Sequence, residues 1–284
     1  MSRDNMSMKD KICIVTGANS GIGKATALGL AKMNATVVML CRNKETGEIA
    51  QKEIINESGN TNVDLLLCDL SSQEQIRRFV DEFKQKYQNL HVLINNAGVM
   101  ASKRKLSVDG FEMNFAVNHL GPFLLTNLLL DVLKTSTPSR IVNVSSAAHR
   151  MAKIDFDDLQ SENKKHRLFR VYGVSKLAFM LFSYELSRKL DGTGVTVNTV
   201  HPGMVNTNLG REMSRFSRGF GKLVFQRPEK GAVTSIYLAS SPEVEGITGK
   251  YYIKKEQQES SKESYNEDDA KRLWEISAQL TKLQ

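Results

Sequence analysis

Short apolar runs alternate along this chain with longer stretches whose apolar residues recur every three to four positions. That alternation predicts βαβ units and a parallel sheet. The runs at 11–16 (KICIVT), 35–41, 63–68, 91–94, 140–145, 195–201 and 250–253 read as strands. Between them, 20–33, 44–57, 111–133, 172–190 and 228–238 carry the helical period, and 266–283 closes the chain as an amphipathic helix with Trp274 on its apolar side. Ser71 followed by Glu74 reads as a capping box opening a helix that runs to about Tyr87. The expected fold is α/β: a Rossmann-type doubly wound parallel sheet of about seven strands with helices on both faces, in a single domain spanning 1–284. Residues 1–10 read as a polar tail, and 254–284 as a solvated linker plus the C-terminal helix. The segments 148–171 and 206–226 lack periodicity and follow strands five and six. Both therefore fall at the carboxyl edge of the sheet, where open α/β folds bind ligands, and 206–226 reads as a substrate lid.

The first strand runs directly into Thr16-Gly17-Ala18-Asn19-Ser20-Gly21-Ile22-Gly23 and then into a helix. Gly17 permits the sharp turn, Gly21 lets the backbone approach a pyrophosphate, and Gly23 lets the helix pack close to the sheet. The unpaired N–H groups and positive dipole end of that helix then face the phosphates. A glycine-rich stretch alone is only a tight turn; between a strand and a helix it signals dinucleotide binding, with Asn19, Ser20 and Ile22 in the same wall. The second strand ends in Met39-Leu40-Cys41-Arg42-Asn43, with no acid to bond ribose hydroxyls and one guanidinium able to pair with a 2′-phosphate. NADP(H) is expected over NAD(H), the plainer reading of Arg42 being a surface arginine. Asp69, with Leu70 beside it, is placed to accept from the adenine amine, to cap the next helix, or both. Asn95-Asn96-Ala97-Gly98 ends the fourth strand at the same edge: Gly98 and Ala97 line the cofactor, and Asn95 touches it or braces the turn.

Tyr172 and Lys176 stand four residues apart, on one helical face. A neighbouring cation favours phenolate and lowers a tyrosine pKa by roughly 1–3 units, which poises the pair for general acid–base work. Ser145 and Ser146 end the fifth strand, where a hydroxyl can hold a substrate oxygen. Asn118, inside the helical pattern at 111–133, either binds a water linking Lys176 to solvent or closes a helix irregularity.

The motifs TGANSGIG, NNAG, VNHLG, VNVSS, YGVSK and HPGMVNT occur in the order and spacing of the short-chain dehydrogenase/reductase family, which the chain resembles over nearly its whole length. The resemblance implies Tyr172 as acid/base, Lys176 as its pKa-lowering, ribose-binding partner, Ser146 as the carbonyl-orienting hydroxyl and Asn118 as a relay residue. It also implies that Pro202, Gly203, Val205 and Thr207 contact the carboxamide end of the cofactor, and that no metal is needed. FLLTNLLLDVLK, SRIVNVSSAAH, DLQSE, GTGVTVNTVHPGMV and RLWEIS are similar to the retinol-dehydrogenase-like branch, implying a lipophilic aldehyde, ketone or alcohol as substrate. Many members of that branch begin with an apolar anchor, whereas residues 1–10 are polar, so a broad carbonyl reductase fits as well.

Composition narrows the alternatives. The net charge of +8 is scattered among acids with no long basic run, which argues against nucleic acid. Cys13, Cys41 and Cys68 lack metal-ligand spacing and read as buried strand residues in a reducing compartment. His119, His149 and His201 fall on different elements, so no metal site is expected. With no signal peptide and no run of ~20 apolar residues, the expected location is cytoplasmic. The segment 211–227 interleaves arginines with Phe216, Phe220 and Phe225, reading as a mobile lid first and a weak membrane-surface contact second. A homo-oligomer through the long helices is compatible with the pattern. The rival function is a dinucleotide-sensing regulatory protein, which has no use for the Tyr172–Lys176 pair.

Overall fold

The sheet is apolar on both faces, as a parallel sheet held between two helical layers must be. In the computed structural model, which describes residues 7–203 and 226–283, eight strands form that sheet. They are β1 (Ile12–Thr16), β2 (Thr36–Cys41), β3 (Val63–Leu67), β4 (Val92–Asn95), β5 (Ser139–Val144), β6 (Val195–His201), β7 (Lys250–Ile253) and β8 (Glu256–Gln258). Their order is β3-β2-β1-β4-β5-β6-β7-β8; the first seven in chain order are parallel and β8 runs antiparallel to β7. The chain reverses its direction of winding between β1 and β4, which opens a crevice at their carboxyl ends.

Alternation sorts the strand side chains into two cores. Cys13, Val15, Val37 and Met39 pack with Ala27 and Leu30 of α1 (Gly21–Lys32), Ala50 and Ile54 of α2 (Lys44–Ser58), and Leu238 of α8 (Pro228–Ser240). Ile14, Val38, Leu40 and Leu93 pack on the other face with Phe79 and Phe83 of α3 (Gln73–Lys86), Phe123 of α5 (Gly121–Leu128), Leu133 of α6 (Leu130–Thr135) and Phe179 of α7 (Leu168–Lys189). The last helix, α9 (Glu267–Leu280), lies over α7 through Leu273 and Ala270, and Trp274 meets the rings of Phe123 and Phe182. Each fully buried phenylalanine contributes roughly 1.5–3 kcal/mol. Among the described residues no helix is long and apolar enough to cross a membrane.

Four details depart from the sequence reading. There are eight strands, because the segment expected to be linker contains β8, joined to β7 by a two-residue turn at Lys254 and Lys255 (φ 52° and 68°). The helix after β3 is capped by Ser72, whose hydroxyl accepts from the Gln75 amide, because Ser71 is taken by the Asp69 carboxylate. Helix α7 begins at Leu168, a turn before Tyr172. The stretch 111–133 is broken into a single turn α4 (Met113–Phe115), a π-helical turn (Ala116–Leu120), α5 and α6. Pro122 has no N–H to give to the Asn118 carbonyl, and the Gly121 amide reaches back five residues to Ala116 instead.

Candidate active site

The glycine turn is held by contacts from β2 and from the end of β4. A Cβ at Gly23 would stand 2.3 Å from the Gly17 carbonyl oxygen and 2.4 Å from Asn96 Nδ2, so α1 can approach the turn only with glycine there. Gly17 and Gly21 adopt φ 68° and 56°. Asn96 crosses from the end of β4 and donates from Nδ2 to the Thr16 carbonyl (2.8 Å). Thr16 Oγ1 accepts from the amides of Asn96 and Ala97, both at 2.9 Å. The Cys41 thiol accepts from the Ala18 and Asn19 amides, and burial pushes it up to about 12, so it packs and braces without reacting. Ser20 opens α1 with extended backbone, no side-chain cap and no acid in the first turn. Helices α2, α3 and α9 each have both a side-chain cap and an acid there. The first-turn amides of α1 thus have no side-chain cap to satisfy them, the donor set an anionic pyrophosphate would use.

At the end of β2, Arg42 is largely exposed and its guanidinium stands 3.9 Å from Asp69 Oδ2. Asn19 Nδ2 donates to Thr46 Oγ1 (3.0 Å), closing the wall beside it. Asp69 Oδ1 accepts from the amide and hydroxyl of Ser71 (2.9 and 2.8 Å), the capping alternative for this residue. Leu70 is buried, and its carbonyl faces Gly121, where a Cβ would come within 2.4 Å. Asn95 points away from this wall: its amide donates to Thr126 Oγ1 and Asn143 Oδ1 between β4, α5 and β5. Of its two expected roles, bracing is the one the geometry provides.

The second half of the edge carries the acid–base residues. Tyr172 and Lys176 are both buried on α7, with the ammonium 5.9 Å from the phenol ring centroid. Lys176 Nζ donates to the Val144 carbonyl (3.0 Å), and the Tyr172 hydroxyl is hydrogen-bonded to the Ser146 hydroxyl. Burial pushes the phenol up to about 12, partly offset by Ser146, and pushes Lys176 down to about 8. In this site burial sets the direction of the phenol's shift, and Lys176 is held against a carbonyl. Asn118 is buried in the π-helical turn and joins two segments. It accepts from the Val99 amide (2.8 Å) and donates to the Val99 carbonyl and Ser175 Oγ, both at 2.9 Å. Ser175 in turn donates to the Tyr172 carbonyl (2.8 Å). Both amide protons of Asn118 are therefore given to protein partners, so its side chain braces the site.

The β6 end supplies Pro202 and Gly203 (φ 82°), which with His201, Gln226, Lys230 and Thr234 line a cavity of about 350 Å³. Val205, Thr207, nearly all of the lid 206–226 and of the segment 211–227 lie outside the described residues. Among the described residues no group of three or more His, Cys, Asp or Glu could hold a metal. Thr16, Asn96, Gly173 and Ser175 lie in motifs the sequence offered, but their bracing roles were not legible there. At Gly173 a Cβ would stand 2.9 Å from the Ala148 carbonyl, so α7 presses on the turn after Ser146.

The model of the short chain dehydrogenase family matches residues 11–217. This chain belongs to the short-chain dehydrogenase family. Human retinol dehydrogenase 13 is 45% identical over 96% of this chain and 85% of its own length. Human retinol dehydrogenase 14 is 45% identical over 95% and 86%. These relatives put this dehydrogenase on the retinol-dehydrogenase-like branch. Among solved structures, an uncharacterised protein from Mycobacterium paratuberculosis superposes with a TM-score of 0.80 at 34% identity, covering 97% of this chain and 95% of that one. The RhlG/NADP complex from Pseudomonas aeruginosa gives 0.71 at 25% identity over 87% and 95%. As a short-chain dehydrogenase, the protein is an oxidoreductase of a fold that binds a nicotinamide dinucleotide.

Proposed function

We propose that this dehydrogenase uses NADP(H) to interconvert a lipophilic aldehyde or ketone, retinoid-like or broader, and its alcohol, with Tyr172 as general acid/base. The observation that carries this reading is one sheet edge bearing both a glycine turn uncapped by side chains and a buried Tyr172–Lys176 pair with half-buried Ser146 beside it. The dinucleotide, when bound, supplies or accepts the hydride. The chain supplies the proton: a phenol held near 12 is protonated at neutral pH, the form that can donate to a nascent alkoxide. Ser146, bonded to that phenol, orients the substrate oxygen beside it. Lys176, held down near 8 and 5.9 Å from the phenol ring centroid, would hold the ribose of a bound dinucleotide. Arg42, with no acid at the end of β2, favours a cofactor bearing a 2′-phosphate. The retinol dehydrogenase relatives support a lipophilic substrate.

Loss of NADPH absorbance against a panel of aldehydes and ketones, retinal included, tests the proposal, with Tyr172→Phe as control. Turnover that disappears in the variant is expected. Equal rates for variant and wild type would overturn the mechanism, and tight NADPH binding without any turnover would favour a sensor.

A further inference from the structure

His149 is fully buried three residues beyond Ser146, in the 3₁₀ turn Ala147–Met151. Its two ring nitrogens face partners of opposite kind. Nδ1 lies 2.6 Å from the Ser146 carbonyl oxygen, which can only accept. Nε2 lies 3.2 Å from the backbone nitrogen of Ser261, which can only donate. Only the neutral ring protonated on Nδ1 satisfies both; a cation would set one N–H against another.

The Ser261 amide is fixed independently of the histidine. Arg150 donates to the carbonyls of Glu259 and Ser260. The Ser260 hydroxyl bonds those of Tyr184 (2.7 Å) and Ser264 (2.6 Å). The Tyr251 ring meets the imidazole edge-on at 5.3 Å. From the opposite side, α7 presses on the same turn at Gly173. His149 is thus a strut between an anchored C-terminal segment and the backbone of the residue whose hydroxyl bonds Tyr172.

We propose that His149 is a positioning residue: it clips the Ser146 carbonyl to the segment 259–264 and so fixes where the Ser146 hydroxyl stands relative to Tyr172. This rests on the dehydrogenase reading above. It gives the C-terminal segment a part in catalysis although none of its residues reaches the acid–base set.

Three variants separate positioning from packing. Asn at 149 keeps a short amide donor for the Ser146 carbonyl, Gln places its amide out toward Ser261, and Leu keeps bulk alone. Small misplacement of a reacting group costs up to about a hundredfold, so kcat for NADPH-dependent carbonyl reduction should fall about 10- to 100-fold in His149→Leu and His149→Gln. It should fall comparably in His149→Asn, which keeps one end of the clip and loses the other, with KM for NADPH unchanged in all three. The imidazole ¹⁵N spectrum of the wild-type chain, read without substrate, should show Nδ1 protonated and Nε2 bare at neutral pH. An Nε2–H tautomer or a cation would overturn the clip. Wild-type kcat in either the Asn or the Gln variant would overturn positioning, even if the Leu variant fails to fold. Wild-type chain that reduces no carbonyl sinks the dehydrogenase reading instead, and the spectrum still tests the clip separately.

Discussion

The two halves of the ligand edge are built by different means. From β1 to β3 the edge is made of backbone: glycines at Gly17, Gly21 and Gly23, amides held by Thr16 and Cys41, and a helix start with no side-chain cap. From β4 to β6 it is made of buried side chains wired to one another, Asn95–Asn143–Ser183 and Asn118–Ser175 behind Tyr172 and Lys176. A backbone site tolerates almost any side chain except at the glycines. A wired site depends on every member, because an orphaned buried donor or acceptor costs about 1–3 kcal/mol. On the proposed function, binding falls to the sturdier half and proton transfer to the more exacting one.

That contrast is breakable. The largest effect should come from Tyr172→Phe, which removes the acid and is expected to lower kcat by about 10²–10⁴-fold. NADPH affinity, measured by fluorescence, should barely move, since the first half is untouched; a matching loss of binding would show the halves to be one unit.

Acid should attack the second half through its histidines. Burial pushes His119 down to about 3 and His201 down to about 4, and lowers His149 as well. Their folded values lie below the unfolded one near ~6.5, so the unfolded chain binds more protons below that point. Their contribution is complete above about pH 6.5 and is lost as pH falls toward the folded values, at up to about 1.4 kcal/mol per pH unit for each histidine. Urea midpoints should drop between pH 7 and pH 5; a flat midpoint would mean that these rings are not buried.

Gly23→Ala forces a methyl against the Gly17 carbonyl and Asn96, and overpacking of this kind costs about 1–3 kcal/mol. The loss should appear in urea unfolding together with at least tenfold weaker NADPH binding. Arg42→Ala should raise KM for NADPH about tenfold, one charge-assisted contact's worth, while leaving NADH kinetics alone; an unchanged cofactor preference would remove Arg42 from the argument. The smallest expected effect is Ser277→Ala. It strips the partner from His119 Nε2 (2.8 Å), lowering stability by about 1 kcal/mol with a few-fold change in kcat at most, because His119 neighbours Asn118 in the π-helical turn.

The same division explains what could be read beforehand. Strands β6 and β7 fall where apolar alternation put them, and the glycine turn is local, so its purpose shows in eight consecutive residues. The wired half is long-range. Ser175 meets Asn118 from 57 residues away, and His149 meets Ser261 from 112. No spacing rule reaches that far. One signal was available: Asn95 and Asn96 end an extended strand, so they must face opposite sides, one toward the core and the other toward the glycine turn. The π-helical turn was partly visible too, since Pro122 cannot donate to the carbonyl four residues back. Strand β8 could not be seen, because its three exposed polar residues carry no alternation and are ordered only by pairing with β7.

That short strand bears on solubility. An unpaired edge of a parallel sheet is a template on which another chain can add, the first step toward aggregation. Here β7, with Tyr251 and Tyr252 buried, is shielded by Glu256, Gln257 and Gln258, a strip too short and too polar to recruit a stranger. The turn that delivers it holds two lysines in left-handed backbone, adding positive charge to the corner where sheets of two molecules would otherwise meet. In a crowded solution such a hairpin would work as a bumper, keeping the β7 edge of one molecule from zipping onto the sheet of the next.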